Sequence, residues 1–137
     1  GRLAAGDARL PPTEARFRLV VADVPCSGTG VLRRRVDARW RRRPEDLARF
    51  AAVQRAILEG LADRVEVGGA LVYATCSLEP EENEQVVTAF LEDHPEYRVD
   101  PVAGRVPAPL ADGPWLVTLP WRDDADGMFA ARLVRER

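Results

Sequence analysis

The sequence holds two cysteines, one histidine and no lysine. Two cysteines cannot build a disulfide framework. With no CxxC pair and no histidine cluster there is no zinc signature, and no metal site is expected. The lone histidine, His94, stands before Pro95 where a helical pattern ends, and reads as a solvated turn residue. No apolar run approaches the ~20 residues that span a membrane. The opening GRLAAGDARLPP lacks the pattern of a signal peptide. The expectation is a cytoplasmic protein with no membrane partner. Net charge is −2, which excludes a polycation that coats nucleic acid over its whole surface.

What remains is an ordinary globular composition over 137 residues, 46% hydrophobic and 31% charged, enough for one domain with a real core. Its one departure is the placement of arginine. All 20 basic residues are arginine, and seven fall in RRRVDARWRRR, residues 33–43. A GC-rich coding sequence favours arginine, and such a run can be a solvated face. It can equally contact phosphates, with Trp40 available to stack on a base or sugar. The sequence leaves both open.

RFRLVVADV, residues 16–24, is short, apolar and rich in β-branched residues, and Pro-Cys-Ser-Gly ends it; it reads as a buried parallel-type strand. Residues 43–65 read as a helix. Pro44 suits the first turn, Glu45 and Asp46 suit the positive end of the helix dipole, and Gly68-Gly69 stops it. Leu47, Phe50, Ala51, Gln54, Ile57, Leu58, Leu61 and Val65 recur at helical spacing, with Gln54 the one polar member of the stripe. GALVYATCS, 69–77, is a second buried strand, and 80–94 a second helix. EYRVD is a short strand candidate. Residues 101–114 read as loop, WLVTLP as a short strand and 127–136 as a final one. The alternation implies an α/β fold with a parallel sheet covered by helices.

In such sheets ligands bind outside the carboxyl ends of the strands. Asp23 to Cys26 leave one strand end, and Thr75 to Ser77 leave the next. Neighbouring strands lie about 4.8 Å apart, so adjacency would turn both thiols into one crevice. Each cysteine alone is more simply a small buried hydrophobe. Together with an acid they suit a pyrimidine: a thiolate adds to C6, C5 becomes nucleophilic towards an electrophilic methyl group, a carboxyl near N3 stabilises the adduct, and a second thiol assists release. A hydrolase fits worse, because His94 lies beyond a whole helix from either cysteine. The phosphatase spacing CxxxxxR fails, since Leu32 follows Cys26 by six places and Arg33 comes one place late. GTG at 28–30 is a weak phosphate-loop signal.

DVPCSGTG and YATCSLEPEENE closely resemble the two cysteine motifs of the Nol/Nop/Sun family of RNA cytosine-C5 methyltransferases. LPWRDDADGMFAARL, 119–133, resembles that family's closing segment, with Met128 in place of a usual Phe, and GDARLP, 6–11, the segment after its third strand. The resemblance implies a Rossmann-like class I methyltransferase fold with an antiparallel final strand. It implies S-adenosyl-L-methionine as cofactor and RNA as partner, small-subunit ribosomal RNA before transfer RNA. Cys76 would be the nucleophile and Cys26 would assist release. Asp23 would hydrogen-bond the base beside the methyl donor, and Asp7 would contact the cofactor's adenine. Arg33, Arg34 and Arg35 would contact RNA phosphates. DNA cytosine methyltransferases use a Pro-Cys nucleophile, so reversed cysteine roles are the rival. The family's glycine-rich cofactor loop is not found before Asp7. Residues 1–137 therefore look like the carboxyl-terminal part of the catalytic domain, with the amino-terminal half expected in a longer protein. The alternatives are a non-catalytic Rossmann-like remnant or binding module, and a transfer-RNA cytosine-C5 methyltransferase.

Overall fold

The computed structural model describes residues 4–34 and 43–137. Strand β1 (Phe17–Asp23) pairs in parallel with β2 (Val65–Thr75), and α1 (Pro44–Ala62) crosses between them. A 3-10 turn at Pro80–Glu82 leads into α2 (Glu84–Asp93) and then β3 (Tyr97–Val99). The remainder forms β4 (Ala111–Asp112), β5 (Trp115–Thr118), the one-turn helix α3 (Pro120–Asp123) and β6 (Met128–Arg135). The fold is mixed α/β, as the alternation of periods implies.

The sheet order is β1-β2-β6-β5-β4. The last strand of the chain sits antiparallel against β2, with Thr75 opposite Phe129. Its other edge is shared: β3 pairs with residues 133–135 and β5 with residues 128–130. β3 therefore runs in the direction of β1 and β2 without pairing with either. One parallel pair is followed by antiparallel pairings: the antiparallel final strand that the resemblance implies is present, whereas the alternation of strands and helices taken alone implies a wholly parallel sheet. A strand arriving from the far end of the chain takes the slot beside β2.

Alternation on the strands decides what is buried. Phe129, Ala131 and Leu133 of β6, Leu71 and Tyr73 of β2, and Ala22 of β1 face a layer made by α1 and α2. Leu58 of α1 and Val87 and Phe90 of α2 are fully buried in that layer. Each such side chain contributes about 1.5–3 kcal/mol of burial. The opposite face is different. Phe17, Leu19 and Val21 of β1 are exposed, Leu19 at 57% and Val21 at 62%. β1 was expected to be buried; among the described residues only one of its faces is covered.

The second helix is shorter than the expected 80–94. Its backbone breaks at Asn83 (φ −112, ψ −106), because this stretch is tied inward to β2. The Tyr73 hydroxyl donates to the Glu82 carbonyl, Thr75 Oγ1 to Asn83 Oδ1 (2.6 Å), and Asn83 Nδ2 to the Ser77 carbonyl (2.9 Å). His94 is not a solvated turn residue. It is mostly buried at the end of α2, stacked on Phe90 with ring centroids 4.3 Å apart. Its Nε2 pairs with Glu59 of α1 (2.8 Å) and its Nδ1 with Glu96 (2.9 Å).

Candidate active site

The chain leaves β1 at Asp23 and β2 at Thr75, side by side, since Asp23 is in register with Ala74. The two loops that follow are stitched together by backbone. The Val24 N–H donates to the Ala74 carbonyl (3.1 Å) and the Gly30 N–H to the Cys76 carbonyl (2.9 Å). The Gly127 N–H then donates to the Gly30 carbonyl (2.8 Å), bringing the loop before β6 into the same cluster. Gly30 and Gly127 are needed for this approach: a Cβ on Gly30 would stand 2.2 Å from the Gly127 oxygen. The GTG triplet thus serves backbone contact between two loops.

The result is that Cys26 Sγ and Cys76 Sγ lie 3.0 Å apart, both partly buried. Both line a cavity of about 500 Å³ together with Asp23, Pro25, Gly28, Arg34 and Asp126. That size suits a small-molecule or cofactor site. Asp23 makes no ion pair among the described residues, and it is exposed at the cavity, so it offers a carboxylate to a cationic or hydrogen-bonding ligand. Burial pushes the Cys26 thiol far above its ordinary range, and the adjacent Cys76 sulfur adds to the effect. Cys26 therefore keeps its proton at neutral pH.

The other candidates fall out differently. Asp7 does not line this cavity. It lies on an exposed turn, bound by Arg9 through Nη2 at 2.6 Å and through further bonds from the Arg9 Nε and backbone N–H. That guanidinium holds the Asp7 carboxyl down to about 2. Arg34 lines the cavity and Arg33 stands beside it; both face Asp126, with Nε at 3.1 Å (Arg33) and 3.3 Å (Arg34) from Oδ1. Arg33 also reaches Asp124 (3.5 Å). Arg35 and Trp40 lie outside the described residues.

Sequence reasoning passed over the carboxylate behind the thiols. Glu82 is fully buried. Its Oε1 accepts from the Ser27 N–H (2.8 Å) and Gln54 Nε2 (3.0 Å), and its Oε2 from the hydroxyls of Ser27 and Ser77. Gln54 Nε2 also donates to the Pro25 carbonyl (2.9 Å), which fixes the orientation of the amide and leaves its own Oε1 with no hydrogen-bond partner. Leaving a buried acceptor unpaired costs about 1–3 kcal/mol, so the amide gives up stability to place two donors. Gln54 as the single polar residue in the α1 stripe was the available signal. Nothing local marked Glu82 among the glutamates of EPEENE.

The family model described as 16S rRNA methyltransferase RsmB/F matches residues 2–134. The chain belongs to this family. Enzymes called ribosomal RNA small subunit methyltransferase B, from Yersinia pseudotuberculosis and Yersinia pestis, are 40% identical to it over 134 residues. The match takes in 96% of this chain and 30% of each relative, so the chain spans about a third of their length. Among solved structures, NSun6 from Pyrococcus horikoshii, crystallised with SFG, an S-adenosylmethionine analogue, superposes with a TM-score of 0.79 at 25% identity. That alignment covers 99% of this chain and 35% of NSun6. A methyltransferase homologue from the same organism gives 0.69 at 27% identity, covering 88% and 40%. The fold is therefore that of part of a Rossmann-like methyltransferase of the Sun type. The family is one of S-adenosylmethionine-dependent RNA methyltransferases.

Proposed function

We propose that the longer protein to which these residues belong methylates cytosine C5 in small-subunit ribosomal RNA, using S-adenosylmethionine, with Cys76 as the nucleophile. The observation that carries this reading is the thiol pair 3.0 Å apart on one cavity with Asp23. The donor set fits the cofactor: a carboxylate faces a space large enough for part of a nucleoside, and the ligand is a sulfonium cation. Asp23 and Pro25 would hold it there. When bound, it supplies an electrophilic methyl group.

The chain's own groups do the rest. The Cys76 thiolate adds to C6 of the base, and the C5–C6 electron pair shifts towards C5 and N3, where a proton donated by the Asp23 carboxyl to N3 stabilises the adduct. After C5 is methylated, its proton must leave and the C6–sulfur bond must break. Cys26 is placed for both. It passes its proton to the departing Cys76 sulfur and takes the C5 proton in exchange, so both thiols are restored. Burial raises the pKa of the Cys26 thiol, which keeps its proton on the sulfur and suits it to donate that proton to the departing Cys76 sulfur.

Small-subunit RNA is favoured as substrate by the resemblance of GVLRRRVDARWRRRPEDL to the bacterial rRNA enzymes, and by the names of the relatives. Such RNA would place the protein in the bacterial cytoplasm. The test is bisulfite profiling of ribosomal and transfer RNA with and without the gene. One 16S cytosine losing its methyl mark is the expected result. A lost mark in transfer RNA would move the substrate there. Intact marks in both would sink the assignment and favour a non-catalytic module.

A further inference from the structure

The sulfur separation needs a cause, because the two thiols sit on different loops, each free to move with its own strand end. The residue after each cysteine supplies one. Ser27 follows Cys26, Ser77 follows Cys76, and both hydroxyls donate to the same oxygen of Glu82. The other oxygen takes the Ser27 N–H, so the carboxylate grips the Cys26 loop twice and the Cys76 loop once. Gln54 reaches from α1 to brace this second oxygen and the Pro25 carbonyl. Ser27, Gln54, Ser77 and Glu82 are all at most 1% exposed, so water does not compete for these bonds.

A buried carboxylate usually has a cationic partner. Glu82 makes no ion pair among the described residues, and four neutral donors surround it instead. Holding two loops together needs only neutral hydrogen bonds, or apolar packing of the same volume. An acceptor-only group has a more particular property. Both serine hydroxyls must point their protons at it, which fixes each hydroxyl rotor and the backbone that carries it. One atom then sets the positions of both thiol loops.

We propose that Glu82 is a positioning residue for the thiol pair: its carboxylate, braced by Gln54, sets the distance and facing of the Cys26 and Cys76 sulfurs. The proposal rests on the reading that both thiols act on one substrate, but it can be tested apart from that reading. In the full-length protein, diamide converts the two thiols into a disulfide. The thiols lose two protons and two electrons, and the azo bond of the reagent becomes a hydrazine. One thiolate adds to the azo bond and the other then displaces the hydrazine, so the rate of this second step reports how often the sulfurs meet, and it needs neither RNA nor cofactor.

Glu82→Gln keeps the volume and places an NH2 where an acceptor stood. The expected result is disulfide formation slowed roughly tenfold, with the melting temperature as a check on folding. Gln54→Leu, which removes only the brace, should slow it less. Ser77→Ala deletes one donor and leaves the buried carboxylate, so it serves if the Glu82 variant does not fold, and it too should slow the reaction. Unchanged oxidation rates in folded Glu82→Gln or in Ser77→Ala overturn the proposal. Slowed oxidation together with a fall in kcat at unchanged KM for RNA upholds it and the two-thiol chemistry. Slowed oxidation with unaltered methylation upholds the positioning role and removes the second thiol from the reaction.

Discussion

Cys26 Sγ stands 3.0 Å from Cys76 Sγ across 50 residues of chain. The contact is made by register: Asp23 of β1 lies opposite Ala74 of β2, so both strands release their loops at the same level. Each thiol then has a separate expected phenotype. In the full-length protein, Cys76→Ala should abolish covalent RNA adducts. Cys26→Ala should accumulate them, because release is blocked after methyl transfer. Denaturing gels of enzyme with substrate RNA distinguish the two. The reverse pattern would make Cys26 the nucleophile.

Arg33 and Arg34 both pair with Asp126, which lines the cavity, so an RNA phosphate would have to displace that carboxylate. Each phosphate contact adds roughly −0.7 to −0.9 to the slope of log affinity against log salt. Arg33→Ala with Arg34→Ala in the full-length enzyme should flatten the slope by up to about two units. Asp126→Asn should tighten binding at low salt, since the competitor is gone. An unchanged slope in the arginine variant would leave these side chains as a structural ion-pair cluster.

Gly30 and Gly127 meet backbone to backbone behind the Cys26 loop. Gly30→Ala puts a methyl group into the Gly127 carbonyl, and no flexible side chain is there to yield. The cost should be about 1–3 kcal/mol, typical of overpacking. Chemical denaturation of the full-length protein measures it, and wild-type stability in the variant would contradict the contact.

His94 joins α1 to α2 through Glu59 and to the start of β3 through Glu96. Burial opposes its charged form, but the hydrogen bonds that its ring N–H groups donate to Glu59 and Glu96 outweigh burial and raise its pKa above 6.5. The folded state therefore holds the proton more tightly than the unfolded chain. The stabilisation is complete below 6.5 and is lost as pH rises through the folded value. His94→Gln should cost about 1 kcal/mol at pH 6, and the gap from wild type should shrink towards pH 9. A gap independent of pH would mean that stacking on Phe90 is the whole contribution.

Local sequence determined the elements whose signals are repeated along several turns or residues. α1 spans Pro44–Ala62 where the stripe of apolar positions, Pro44 and the first-turn acids placed a helix, and β1 and β2 lie where apolar runs ended at Pro-Cys and Thr-Cys. Those two breaks also pointed to paired thiols, because strand ends in an α/β sheet open onto one crevice. Tertiary structure decided what depends on partners far along the chain. β6 inserts beside β2 because the Phe129, Ala131 and Leu133 face completes the core under α1 and α2, and no property of residues 128–135 alone names that neighbour. The arginine run could not reveal that Asp126, 93 residues from Arg33, would meet it. Nor could EPEENE show which glutamate turns inward. Glu82 is buried because residues 27, 54 and 77 converge on it with four donors, and a buried carboxylate is tolerated only where such donors already stand.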